Sequence, residues 1–188
     1  LRSNLHMTIE AGAVLRADND TDLWPKKSYQ PSGGAPTLAP CRHIISGDSV
    51  RNVTIDGGGL IDGQGQAWWD LAHRMLRRKP PVKTDGLRPR MILCEDCTDF
   101  AVRGLRMLNS PSFHLYLSGF NCEVTGISIQ SPNYGLAPNT DGIDVACGES
   151  TALYPLPLIF SYKYEKSLCG ADGAYIARNR VVNGDDSL

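Results

Sequence analysis

Three aspartates, Asp141, Asp185 and Asp186, fall in two short segments, Asn139-Thr140-Asp141-Gly142 and Gly184-Asp185-Asp186. Carboxyl groups in this number can cleave a glycosidic bond. One donates a proton to the leaving oxygen and another readies a water. A glycine beside each acid lets the backbone turn sharply or come close to a ligand. Either segment alone is unspecific; the two in this order, in this kind of chain, are what point to carbohydrate cleavage.

Acids 44 residues apart need a scaffold that returns them to one surface. Four segments supply its pattern: N-V-T-I-D-G-G-G-L-I-D-G from Asn52, D-F-A-V-R-G-L-R-M-L-N-S from Asp99, N-C-E-V-T-G-I-S-I-Q-S-P from Asn121 and G-A-Y-I-A-R-N-R-V-V-N-G from Gly173. Aligned without gaps, they place an apolar residue fourth (Ile55, Val102, Val124, Ile176) and another near the ninth position (Leu60, Met107, Ile129, Val181). A turn residue lies between: Gly57, Gly104, Gly126, or Arg178-Asn179. Each unit therefore reads as strand, turn, strand. The second and third units begin 22 residues apart, a fitting period for one coil of a parallel β-helix. Leu115 to Leu117 and Ile143 to Ala146 would add a further strand per coil. A sandwich or barrel also has short strands, but an in-phase repeat of the whole unit favours the solenoid. Neighbouring coils lie about 4.8 Å apart, so carboxyl groups on successive coils can converge on one groove.

Outside the repeat, Ala67 to Arg78 reads as a short amphipathic helix or turn in a lateral excursion. Pro25 to Pro40, rich in Pro, Gly and Ser, reads as a long surface loop. Arg74, Arg77, Arg78, Lys79, Lys83, Arg88 and Arg90 crowd a loop that contains one acid, Asp85. That loop is either a solvated stretch or a surface that attracts an anionic polymer. Thr151 to Gly173 breaks the coil pattern. Without those 23 residues the spacing from Asp141 to Asp185 falls from 44 to 21, close to one coil. The segment is read as an insertion or a mis-assigned stretch, either a translated intron or a surface loop.

The 188 residues suffice for one domain with a sizeable core, and the composition is that of an ordered globular chain. A net charge of −1 does not indicate a nucleic-acid partner, and no apolar run approaches a membrane span. Six cysteines (Cys41, Cys94, Cys97, Cys122, Cys147, Cys169) form an even set compatible with a secreted disulfide framework. Cys94 and Cys97 make a C-x-x-C without a second pair at zinc-finger spacing, so no metal and no cofactor are expected. Sequons at Asn19 and Asn52 are compatible with secretion. With Leu1 in place of an initiator Met, and Leu188 two residues beyond Asp186, the chain reads as a single partial domain, 1–188, truncated at both ends.

The chain resembles the polygalacturonases, family 28 of the glycoside hydrolases, over essentially its whole length. The matching segments are L-R-S-N-L-H-M-T-I-E-A-G-A-V-L from Leu1, G-G-G-L-I-D-G-Q-G-Q-A-W-W from Gly57, R-P-R from Arg88, N-S-P-S-F-H from Asn109, N-T-D-G-I-D from Asn139 and N-G-D-D from Asn183. The resemblance implies an all-β, right-handed parallel β-helix and inverting, metal-free hydrolysis of α-linked galacturonate polymers. It implies Asp185 as the general acid and Asp141 with Asp186 as the pair that hold and deprotonate the water. Asn139 is expected either to bind substrate, at a sugar hydroxyl, or to shape the turn. The expected partner is an anionic polysaccharide, pectin or homogalacturonan, met outside the cell by a monomer. The family's downstream G-H-G and R-x-K motifs find no match, and Ser187 stands where many members carry Cys. Inactivity of the isolated piece is therefore expected. His114 is expected to be a packed wall residue rather than a catalyst. A β-helical pectate lyase and a non-catalytic polysaccharide-binding solenoid are the competing functions.

Overall fold

A computed structural model describes residues 1–24, 26–29, 37–40, 42–79, 81, 87–132, 135–146, 175–177 and 179–182. In chain order its elements are β1 (Leu5–Thr8), β2 (Val14–Arg16), β3 (Lys26–Tyr29), β4 (Thr37–Pro40), β5 (Ile45–Asp48), β6 (Arg51–Asp56), β7 (Leu60–Asp62) and α1 (Gln66–Leu76). There follow β8 (Ile92–Arg103), β9 (Arg106–Leu108), β10 (Leu115–Thr125), β11 (Ser128–Gln130), β12 (Ile143–Ala146), β13 (Tyr175–Ala177) and β14 (Arg180–Val182).

The repeat read from the apolar positions is a stack of coils. Ile55, Val102, Val124 and Ile176 are successive partners in parallel register, and Val124 lies 22 residues beyond Val102. Together with β1 they form one wall. A second wall runs through Leu15, Ile61, Met107, Ile129 and Val181, on β2, β7, β9, β11 and β14. A third contains Ile45, Ile92, Leu115 and Ile143, on β5, β12 and the first halves of β8 and β10. Side chains alternate across each strand, so one set from every wall points inward. Ile45, Ile55, Ile61, Ile92, Val102, Met107, Leu115, Val124, Ile129 and Ile143 are all buried in one cluster. Each such aliphatic side chain contributes roughly 1.5–3 kcal/mol on burial. The architecture is a parallel β-helix of three walls.

Two corners hold the coils in phase. Between the first strand-half of β8 or β10 and the second, the chain passes through a left-handed residue, and these residues stack. Asn4, Asn52, Asp99 and Asn121 have φ of 58°, 53°, 55° and 55°. Asn52 Nδ2 donates to Asn4 Oδ1 at 3.0 Å, and Asn121 Nδ2 donates to Asp99 Oδ1 at 2.5 Å. Short polar side chains are among the few that tolerate this conformation, and here each also bonds along the stack. At the next corner the column is Gly57, Gly104 and Gly126, all at positive φ. A Cβ on Gly57 would lie 2.1 Å from the Ile9 carbonyl oxygen. One coil further on, Asn179 bonds to the chain on both sides of the Gly126 corner. Its Oδ1 accepts from the Ile127 N–H at 3.0 Å, and its Nδ2 donates to the Val124 carbonyl at 3.1 Å.

Three sequence expectations change. The gapless alignment slips by one in the first unit, because Ile61, not Leu60, pairs with Met107. The run Gly57-Gly58-Gly59 carries one extra residue round its corner. Pro25 to Pro40 is not only a loop, since β3 and β4 pair antiparallel within it, Lys26 opposite Pro40 and Tyr29 opposite Thr37. The disulfide framework is local where it is described. Cys94 and Cys97 pair with each other within β8 and Cys122 is free and buried, while Cys41, Cys147 and Cys169 lie outside the described residues.

The expected helix forms as α1, from Gln66 to Leu76, with Trp68, Trp69 and Ala72 turned inward. Trp69 Nε1 donates to the Ser110 carbonyl at 3.0 Å, and the His73 ring meets the Leu136 carbonyl at 3.2 Å. The helix thereby braces both the segment after β9 and the turn that precedes Asp141. Among the described residues, no helix is long and apolar enough to cross a membrane.

Candidate active site

Asp141 stands two residues before β12, at the entrance of the third wall, and is partly exposed. Its backbone carbonyl accepts from the His114 N–H at 2.9 Å, and the Gly142 carbonyl accepts from Leu115 N–H at 3.1 Å. Parallel pairing thus begins at Asp141 itself, and its position is tied to the neighbouring coil.

The turn that delivers it, Ala137 to Asp141, is held carbonyl by carbonyl. Thr140, fully buried, donates its hydroxyl to the Ala137 carbonyl at 2.7 Å. Arg88 Nη1 donates to the carbonyls of Pro138 at 2.7 Å and Pro111 at 2.8 Å, and Nη2 donates to Asn139 Oδ1 at 2.5 Å. His114 Nδ1 reaches the Thr140 and Asp141 carbonyls at 3.2 and 3.1 Å. Carbonyls only accept, so the imidazole proton sits on Nδ1, and Nε2 accepts from the Ser131 hydroxyl at 3.2 Å. Asn139 takes a left-handed φ of 53°, which its short amide side chain permits.

Both anchoring side chains lie in the interior. Arg88 is 2 % exposed and His114 is 0 % exposed. Burial pushes the His114 pKa down to about 4, against the opposing effect of its hydrogen bonds to the Asp141, Thr140 and Gln130 backbone. The ring is therefore neutral at pH 7. His114 is the packed wall residue expected from the sequence, and its packing has a specific object, the two peptide units that flank the Asp141 Cα.

The structure thus places two of the four predicted site residues, Asp141 and Asn139, side by side on one fixed turn; Asp185 and Asp186 lie outside the described residues. Arg88 was not singled out by sequence. It stands in a run of seven cations, most of them exposed at Arg74, Arg77, Arg78 and Lys79. The proline at 89 and the R-P-R match are the features that separate it from that run. Among the described residues, no three His, Cys, Asp or Glu side chains are grouped so as to hold a metal. A separate open cavity of about 380 Å³ lies beside α1, lined in part by Asn19, Gln64, Trp69, Asp70 and Asn109.

Residues 29–154 match the family model described as glycosyl hydrolases family 28. The chain belongs to that family. A probable polygalacturonase of Vitis vinifera is 34% identical over 149 residues, which are 77% of this chain and 28% of that protein. An endo-polygalacturonase of Pectobacterium carotovorum subsp. carotovorum is 33% identical over 156 residues, 77% of this chain and 37% of that one. Among solved structures, the polygalacturonase from Erwinia carotovora ssp. carotovora superposes with a TM-score of 0.72 at 26% identity, over 99% of this chain and 44% of that one. This family 28 chain therefore spans between a quarter and two fifths of these two curated relatives. The likeness fixes the fold as a right-handed parallel β-helix: the repeat predicts the parallel solenoid and the family resemblance its hand.

Proposed function

We propose that the whole protein hydrolyses α-1,4-linked galacturonic acid bonds in pectin, with inversion, outside the cell. Family 28 membership supports the reaction class, and the rigid seating of Asp141 is the observation that carries the site. In this reading Asp185 protonates the leaving oxygen, while Asp141 and Asp186 hold and deprotonate the water. Inverting chemistry needs a fixed separation of about 6.5–9.5 Å between acid and base, leaving room for that water. A carboxylate whose turn is anchored at the carbonyls of Ala137, Pro138, Thr140 and Asp141 suits that demand, because small displacements of a catalytic group are costly in rate. Asn139, gripped by Arg88 through Oδ1, stands on the same turn as Asp141 and is the residue of this reading that meets a sugar hydroxyl.

The same reading treats residues 151–173 as inserted. β10 pairs through Ser118 with Ala146 and through Glu123 with Tyr175. Five steps along β10 thus correspond to 29 along the chain that pairs with it. In β8 the corresponding corner is crossed without an excursion.

Reducing ends released from polygalacturonate, with Asp185→Asn as the blank, test the assignment. Release should fall by roughly 10²-fold or more in the variant, the ordinary scale of general acid catalysis. Equal release by both would remove Asp185 from the mechanism. Products that absorb in the ultraviolet would mark elimination and overturn hydrolysis.

A further inference from the structure

Arg90 stands on the same wall as Asp141. The Met91 N–H donates to the Phe113 carbonyl and the His114 N–H to the Asp141 carbonyl, so Arg90, Phe113 and Asp141 occupy corresponding places on three successive coils. Two coil spacings of about 4.8 Å separate the backbone of Arg90 from that of Asp141, about 10 Å in all. The wall's inward side is defined by Leu115 and Leu117, both fully buried, so Tyr116 between them faces outward. The Arg90 guanidinium lies over the Tyr116 ring at 4.2 Å and over the Phe113 ring at 5.1 Å from its carbon. Its backbone N–H is also fixed, donating to His43 Nδ1 at 3.0 Å.

This differs from the Arg88 arrangement two residues earlier. Among the described residues the Arg90 side chain has no carboxylate within ion-pair distance and makes no hydrogen bond. Aromatic faces hold the cation in place without consuming its N–H donors. A planar fork with unconsumed donors matches a carboxylate, which can accept two parallel bonds. A uronate polymer carries one carboxylate on every sugar, and the acids of the site repel it. A fixed cation on the same outer wall offsets that repulsion.

We propose that Arg90, stacked on Tyr116 and Phe113, receives a substrate carboxylate about two coils before Asp141 and so selects unesterified over methyl-esterified uronate. This rests on the polygalacturonate reading given above. Calorimetric titration with galacturonate oligomers and with their methyl esters tests it. The unaltered protein should bind the free acid more tightly than the ester. Arg90→Gln should weaken binding of the acid roughly tenfold to hundredfold, the worth of a hydrogen bond to a charged group, and leave the ester unchanged. A variant that folds and keeps the full acid-to-ester ratio overturns this proposal alone. Failure of the unaltered protein to bind either polymer overturns the polygalacturonate reading and this proposal with it. A second measurement does not depend on the variant's folding. Modification of Arg90 by phenylglyoxal, followed by peptide mass, should be slowed by the acid oligomer and not by the ester. Equal modification in the presence and absence of the acid oligomer also overturns the proposal.

Discussion

His114 and Arg88 act on Asp141 without belonging to its chemistry, one through the carbonyls beside the acid and the other through the Asn139 amide and the Pro138 carbonyl. The histidine carries a pH signature. Its pKa is about 4 in the folded chain and about 6.5 unfolded, so the unfolded chain binds more protons between those values. Stability from this group is complete above about pH 6.5 and is lost as pH falls toward 4, by on the order of 3 kcal/mol. Denaturant midpoints measured from pH 7 to 4 should slope downward in the unaltered protein and flatten over that interval in His114→Gln. A parallel slope in both would place the titration elsewhere. The carboxyls of Glu123 and Asp56 are held below their ordinary values of 4.5 and 3.8, chiefly by hydrogen bonds from Arg103 and His6. Their losses fall below pH 4.5, outside the histidine window. At this scale the turn that carries Asp141 and Asn139 was marked in the sequence, because N-T-D-G is a local pattern. Arg88 was not, since a buried cation and a solvated one look alike in a run of arginines. What separates them is the set of carbonyls from Pro111 and Pro138, which only folding assembles.

Among the elements, the corner residues decide the coil's phase. Asn52 combines a φ of 53° with a side-chain bond to Asn4. Asn52→Ala should destabilise by about 2 kcal/mol, of which about 1 is the left-handed backbone and about 1 the lost hydrogen bond. Asn52→Gly, which relieves the backbone strain but not the bond, should recover roughly half. Equal melting temperatures for the two variants would show that the backbone contribution is absent. The strands themselves were legible from apolar spacing, because Ile55, Val102 and Val124 face a shared interior. The Asn or Asp that opens the first three units was not read as a stacked column, because the stacking exists only once the coils pair. The misaligned ninth position has a physical cause. Gly58 and Gly59 let an extra residue round the corner with no apolar side chain to mark it. The β3–β4 pair escaped notice because Pro25 to Pro40 has the composition of a loop and lacks alternating apolar residues.

For the molecule as a whole, the walls fix where the chain can leave the stack and where it must return. Ala146 and Tyr175 both register on β10, so residues 151–173 can be removed without moving either strand's partners. The deletion shortens that closure about five-fold, worth about 1.4 kcal/mol of loop entropy. A chain lacking 151–173 should therefore melt higher than the unaltered one. A lower melting temperature would show that the segment packs on the stack. The general solenoid was legible because the 22-residue interval from Asp99 to Asn121 is uninterrupted. The remaining coils hid behind excursions of different lengths, which shift the period without changing the walls. That unevenness has a consequence in time. From Ile92 to Gln130 each coil closes over 22 or 23 residues, whereas Met7 reaches Ile55, and Val124 reaches Ile176, only across 48 and 52. Doubling a closure costs about 0.6 kcal/mol before any contact forms. In a stack where each coil touches only its neighbours, growth begins where closure is cheapest. Folding therefore starts in the middle, on β8 and β10, and Asp141 joins early as the next coil docks on that nucleus.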